Sequence, residues 1–287
     1  MTEATPVWPA GAALGEGVLW SARDDAVYWV DILGNCIHRL SLATGARTTW
    51  NTPENIGWII ERREMPGFIV GLKSGFAECT LEPLTFRSLG PLEPDLPDNR
   101  MNDATADPTG RIWAGTMDKA SSAASSSGSL YRLDLDGVST RVDTGYTVTN
   151  GPAISPDGAI LYHTDTLRGS VYRFEISPEG TLRNKQLHIQ FEEAWGAPDG
   201  MTVDAGGGLW IAHWGGGRVS RFSPQGVLER HIAIPTPNVT KCCFAGANLD
   251  RMFVTTAAVD TGNDPLAGSL FEVDPGAVGL PTQTFGG

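Results

Sequence analysis

Four short segments of this 287-residue chain place polar side chains where an apolar strand should begin. They are Leu14-Gly15-Glu16-Gly17, Asn99-Arg100-Met101-Asn102-Asp103, Thr149-Asn150-Gly151-Pro152 and Ala197-Pro198-Asp199-Gly200. Glu16, Asn150 and Asp199 are each followed by a glycine, which lets another group approach the backbone closely. Two carboxylates and one amide oxygen form a hard, oxygen-only donor set. Such a set suits one divalent metal ion, Ca2+, Mg2+ or Mn2+, and Zn2+ or Fe2+ is also compatible with it. Three protein ligands leave positions open for water and substrate, as a catalytic site requires and a closed structural site does not. Singly, each segment also reads as a solvated turn residue or a structural salt bridge. The case for a site therefore rests on their being equivalent in the fold.

That equivalence comes from an internal repeat. A short apolar strand recurs, centred on Tyr28, Ile69, Trp113, Tyr162, Trp210 and Phe253. Successive differences of these numbers are 41, 44, 49, 48 and 43, giving six units at the period of a propeller blade. Turns rich in Asp, Pro and Gly precede these strands, as in Asp107-Pro108-Thr109-Gly110 and Ser155-Pro156-Asp157-Gly158. A second alternating strand follows, as in Ser129-Leu130-Tyr131-Arg132-Leu133 and Ser170-Val171-Tyr172-Arg173-Phe174. The pattern predicts an all-β chain: a six-bladed β-propeller of four-stranded antiparallel blades, with residues 1–287 as a single domain. Glu16, Asn150 and Asp199 precede their strand centres by 12, 12 and 11 residues, so blades one, four and five aim them at one end of the axis.

Composition narrows the partners. Lys and Arg number 21 against 33 Asp and Glu, a net charge of −12 that repels phosphate backbones and excludes nucleic acid. No apolar run of membrane-spanning length occurs, and Met1 to Ala10 has no basic start followed by an apolar stretch, so neither a membrane span nor a secretory signal is expected. Four cysteines without zinc or disulfide spacing read as reduced thiols in a cytoplasmic protein. No Gly-x-Ser-x-Gly elbow is present, which leaves a serine-esterase mechanism without support. His163 and His213 lie opposite in alternation to their strand centres and read as blade packing rather than pocket residues. Ser121 to Gly128 has no large apolar side chain and is expected to form a mobile loop, placed to close the propeller mouth.

In these segments the chain resembles the SMP-30/gluconolactonase family of six-bladed propellers, also called regucalcin-like proteins. The resemblance runs through Leu14-Gly15-Glu16-Gly17, Arg100-Met101-Asn102-Asp103, Gly115-Thr116-Met117, Asn150-Gly151-Pro152, Ser155-Pro156-Asp157-Gly158, Pro198-Asp199-Gly200 and Cys242-Cys243-Phe244. Tyr162-His163-Thr164-Asp165-Thr166 and Asn238-Val239-Thr240-Lys241 look most like bacterial xylonolactonases and related aldonolactonases. The resemblance implies one divalent metal held by Glu16, Asn150 and Asp199, and a sugar lactone held by Arg100 and Asn102. The chemistry agrees: a lactone is an ester, Asp199 is placed to act as general base, and Arg100 and Asn102 suit vicinal hydroxyls. The family often carries a further acidic residue soon after Gly-Thr-Met; here Asp118-Lys119 leads into serines and alanines. The alternatives are a calcium-dependent phosphotriesterase or arylesterase, which tends to bury a second cation in the axis, and a non-catalytic calcium-binding propeller.

Overall fold

A computed structural model describes residues 4–122 and 124–287. Met1–Glu3 of the amino-terminal segment and Ala123 of the serine-rich loop lie outside the described residues. Six four-stranded antiparallel sheets follow one another around a ring. Their innermost strands are Gly15–Ser21, Ile56–Glu61, Asn99–Ala106, Thr149–Ile154, Ala197–Val203 and Val239–Ala245, in blades one to six. The repeat centres all fall on the second strands: Tyr28, Ile69, Trp113, Tyr162, Trp210 and Phe253 are buried.

Alternation explains how one sheet buries both faces. In blade three, Trp113 packs toward Ile154, Leu161 and Phe174 of blade four. Its neighbours Ile112 and Ala114 pack the opposite way, against Trp58, Ile60 and Ile69 of blade two. The turn aspartates support this packing. Asp107 accepts the indole N–H of Trp113 at 2.9 Å on one oxygen and the backbone N–H groups of Thr109 and Arg111 on the other. Asp204 does the same for Trp210 at 2.8 Å and for Gly206 and Gly208. One carboxylate thus closes the hairpin and satisfies a buried donor.

The ring is closed by chain ends far apart in sequence. Thr5–Trp8 pairs with Leu270–Val273 and supplies the outer strand of blade six, a role that the repeat pattern did not assign to it. Residues 278–286 then cross from blade five to blades two and three. Val278 O accepts from Ala205 N at 2.8 Å, Phe285 N donates to Glu61 O at 2.8 Å, and Gly286 N donates to Gly110 O at 3.0 Å.

The inner strands share one irregularity. The register shifts between Glu16 and Leu19, Ile56 and Trp58, Met101 and Ala104, Asn150 and Ala153, Pro198 and Met201, and Val239 and Lys241. Each is a bulge that bends the strand and re-aims side chains. Glu16 and Asn150 stand just before their bulges, whereas Asp199 lies within its own.

Candidate active site

Five of the six inner strands bring polar groups toward one another from at or beside their bulges, and the bulge of blade two, at Gly57, adds none. Glu16, Asn150 and Asp199 arrive from blades one, four and five, each only 3% exposed. Asn102 and Asp103 come from the bulge of blade three, Arg100 from just before it, and Lys241 from the end of the bulge of blade six, all buried. Hydrogen bonds join several of them. Arg100 Nη1 donates to Asn102 Oδ1 at 2.6 Å and to Met101 O at 3.0 Å. Asn102 Nδ2 donates to Asn150 Oδ1 at 3.0 Å and to Thr149 O at 2.7 Å. Asn150 Nδ2 donates to Thr166 Oγ1 at 3.0 Å. Glu16 Oε2 accepts from Gly17 N at 2.9 Å inside its own bulge.

Burial and mutual repulsion set the electrostatics. Burial, then the charge of Asp103, pushes Glu16 up to about 8, against the pull of Lys241, the Gly17 N–H and Arg100. Asp199 is raised well above the usual carboxylate range by burial, then by Glu16 and Asp103. Burial pushes Arg100 down to about 10, while Glu16 and Asp199 act the other way. Thus the five residues singled out from sequence do converge: Arg100, Asn102 and Asn150 by hydrogen bonds, Glu16, Arg100 and Asp199 by charge.

The group is short of positive charge. With Glu16, Asp103 and Asp199 ionised, Arg100 and Lys241 leave one negative charge over. Asp199 Oδ1 and Asp103 Oδ2 are buried without a hydrogen-bond partner, a costly state for a carboxylate unless another group faces it. Among the described residues no three His, Cys, Asp or Glu side chains gather for a metal. The third donor here is an amide oxygen, and its Nδ2 is already turned away toward Thr166. This donor set fits a divalent cation of the hard, oxygen-seeking class.

A model of the SMP-30/gluconolactonase/LRE-like region matches residues 14–258. The chain belongs to this family. It is 33% identical to a 6-deoxy-6-sulfogluconolactonase of Pseudomonas putida over 282 residues, covering 96% of each chain. It is 33% identical to a pentonolactonase of Haloferax volcanii over 289 residues, again 96% of each. It superposes on the structure of a calcium-binding protein, regucalcin, from Agrobacterium tumefaciens with a TM-score of 0.93, at 25% identity over 99% of this chain and 97% of that one.

Within this SMP-30/gluconolactonase propeller, sequence reading missed two contributors. Lys241 Nζ donates to Asp103 Oδ1 and to Ala104 O, the latter at 3.1 Å. The signal was a lysine inside an otherwise uncharged strand. Thr166 is the other, and nothing in its local pattern separates it from an ordinary turn threonine. Past Lys241 the axis holds a cavity of about 320 Å3, lined by residues such as Trp20, Ile60, Val203 and Phe244 and crossed by Leu280–Gln283. None of the five candidate residues lines it, whereas Lys241 does.

The rim of blade three departs from expectation. Among the described residues of the Ser121–Gly128 segment, two serines are anchored by hydrogen bonds. Ser127 Oγ donates to Asn99 Oδ1 at 2.7 Å, and Arg168 Nη2 donates to Ser126 Oγ at 2.9 Å. Gly128 already belongs to the strand Gly128–Leu133. The acidic group at this rim is Glu93, which accepts from Asn99, Thr116 and Tyr131 at 2.8, 3.0 and 2.9 Å. His163 packs edge-on against Tyr146 with ring centroids 4.6 Å apart, and His213 lies tilted against Phe191 at 4.7 Å. Both are fully buried between blades, as alternation predicts. The four cysteines are unpaired, and no helix is long and apolar enough to cross a membrane.

Proposed function

We propose that this protein hydrolyses the lactone of a sugar acid to the open aldonic acid, with xylono- and gluconolactone as representative substrates. Glu16, Asn150 and Asp199 hold one divalent cation, and Arg100 and Asn102 hold the sugar. The observation that carries this reading is the convergence of two buried carboxylates, two amides and a guanidinium at one end of the axis. The names of the relatives, a sulfogluconolactonase and a pentonolactonase, support the substrate class. Calcium binding by the Agrobacterium regucalcin supports the cation. The unpaired cysteines agree with a reducing, cytoplasmic setting.

When bound, such a cation polarises an ester carbonyl and makes a nearby water more acidic. The chain's own residues do the rest. Asp199 Oδ1 is buried without a hydrogen-bond partner, which leaves it open to accept the proton of the attacking water. Arg100 uses Nη1 for Met101 O and Asn102. The rest of its fork is available to orient vicinal hydroxyls. Burial keeps bulk water out and strengthens each of these contacts.

The test is acid release by the metal-stripped protein from xylono-, arabinono-, galactono- and gluconolactone, with each of Ca2+, Mn2+, Mg2+, Zn2+ and Fe2+ restored in turn. Stripped protein should be inactive and one or more ions should restore turnover. Full turnover without metal, or faster cleavage of a phosphotriester than of any lactone, would refute the proposal.

A further inference from the structure

An amide side chain is nearly symmetric in shape, so its oxygen and nitrogen ends exchange by a half-turn unless neighbours forbid it. A cation accepts only the oxygen end. Asn150 therefore needs its polarity imposed, and the structure contains two groups of invariant polarity that can impose it. The Arg100 guanidinium only donates, and the Thr149 carbonyl only accepts. They grip opposite ends of Asn102, whose Oδ1 faces Arg100 at 2.6 Å and whose Nδ2 faces Thr149 O at 2.7 Å. Asn102 thus presents a donor to Asn150, which must answer with Oδ1, at 3.0 Å. Asn150 Nδ2 is left facing outward, where Thr166 Oγ1 accepts it at 3.0 Å. A flipped Asn150 would set two NH2 groups against each other.

Thr166 is well placed to hold its end of this chain. It is buried and opens the 3-10 turn Thr166–Arg168. Its N–H donates to Val148 O at 2.9 Å, and its carbonyl accepts from Gly169 N at 3.0 Å. The turn is tied further by Arg168 Nη1, which donates to the buried Asp165 at 2.8 Å and to Gly145 O at 2.7 Å. We infer that Thr166 is a positioning residue for the cation site: Arg100 and Asn102 set the polarity of the Asn150 amide, and the Thr166 hydroxyl, which can accept or donate, holds its Nδ2 end in place. The inference rests on the cation reading given above, and it assigns Arg100 and Asn102 a second task beside sugar contact.

The test uses the full chain and two probes, Mn2+ and Ca2+, titrated calorimetrically into metal-free protein. Thr166→Val removes the hydroxyl at nearly constant volume, and Thr166→Ser keeps it. Thr166→Val should weaken both ions about tenfold, within the range for lost outer-shell partners, with the thermal midpoint of the metal-free protein little changed. Thr166→Ser should bind close to wild type. A second readout needs no metal: the side-chain NH2 of Asn150 should exchange slowly with solvent in wild type and Thr166→Ser, and faster in Thr166→Val. Should Thr166→Val not fold, Asn102→Leu removes the donor on the other side and should weaken both ions likewise. Wild-type affinity and slow exchange in Thr166→Val overturn the inference, as do equal losses in the valine and serine variants, which would mark a packing effect. Failure of wild-type protein to take up any divalent cation defeats the cation reading instead, and amide exchange still decides whether Thr166 holds Asn150.

Discussion

Asp199 combines burial, two neighbouring negative charges and an unpartnered oxygen. Asp199→Asn keeps the shape and removes both the charge and the basic site. It should lower kcat by about 10²–10⁴-fold even at saturating metal, the range for loss of a general base, while the fold survives. Turnover near wild type in this variant would rule out the base role. Arg100 has a divided role, and substrate choice can separate its parts. Arg100→Ala should raise KM more for sugar lactones than for an unsubstituted lactone, because only the former offer hydroxyls to the guanidinium. A loss common to both substrates reports the Asn102 contact; an equal loss on both would deny Arg100 a sugar contact.

At the scale of elements, the bulges and their glycines decide how closely the inner strands approach. A side chain at Gly57 would place its Cβ 2.6 Å from Asn102 O and 2.9 Å from Met101 O. Its backbone angle is one any residue can adopt, so the demand is for space between blades two and three. Gly57→Ala should cost about 1–3 kcal/mol, as overpacking does, and should displace the bulge that carries Asn102. Urea unfolding and lactone KM check both parts, and unchanged values in both would show that the ring yields more easily than the geometry implies. The glycine following each proposed ligand was visible in sequence. Gly57 was not, since its importance depends on a strand more than forty residues away.

At the scale of the whole ring, buried histidines couple stability to pH. Burial pushes His38 down to about 4, His163 to about 3 and His213 to about 4. In the unfolded chain each returns to roughly 6.5 and protonates first. Their stabilisation is complete above about pH 6.5 and is lost as pH falls through 6.5 toward the folded values, with a slope of up to about 1.4 kcal/mol per pH unit for each. His163→Phe keeps a ring against Tyr146 and abolishes this linkage. Between pH 7 and pH 5 it should reduce the loss of unfolding free energy by up to about 2 kcal/mol. An identical acid dependence in the two proteins would show that His163 is solvated more than its burial implies.

The same scales separate what sequence and tertiary structure each decided. Sequence by itself determined the six-fold repeat, because blade strands and their Asp and Gly turns are local signals. It also singled out Glu16, Asn150 and Asp199 as candidates, because a polar residue before a glycine at a nearly constant distance from an apolar strand is periodic information. Arg100 and Asn102 were legible as polar breaks in a strand, and their suggested role came from resemblance. Tertiary structure alone decided how these groups are held. The Lys241–Asp103 pair joins blades six and three, and Thr166 reaches Asn150 across a strand pair. The serine-rich segment is tied by Arg168 from the next blade. Closure by Thr5–Trp8 also joins opposite ends of the chain. The physical reason is common to all four: a hydrogen bond or ion pair acts over about 3 Å, and which residues come within that distance is set by strand pairing and blade packing, not by separation along the chain.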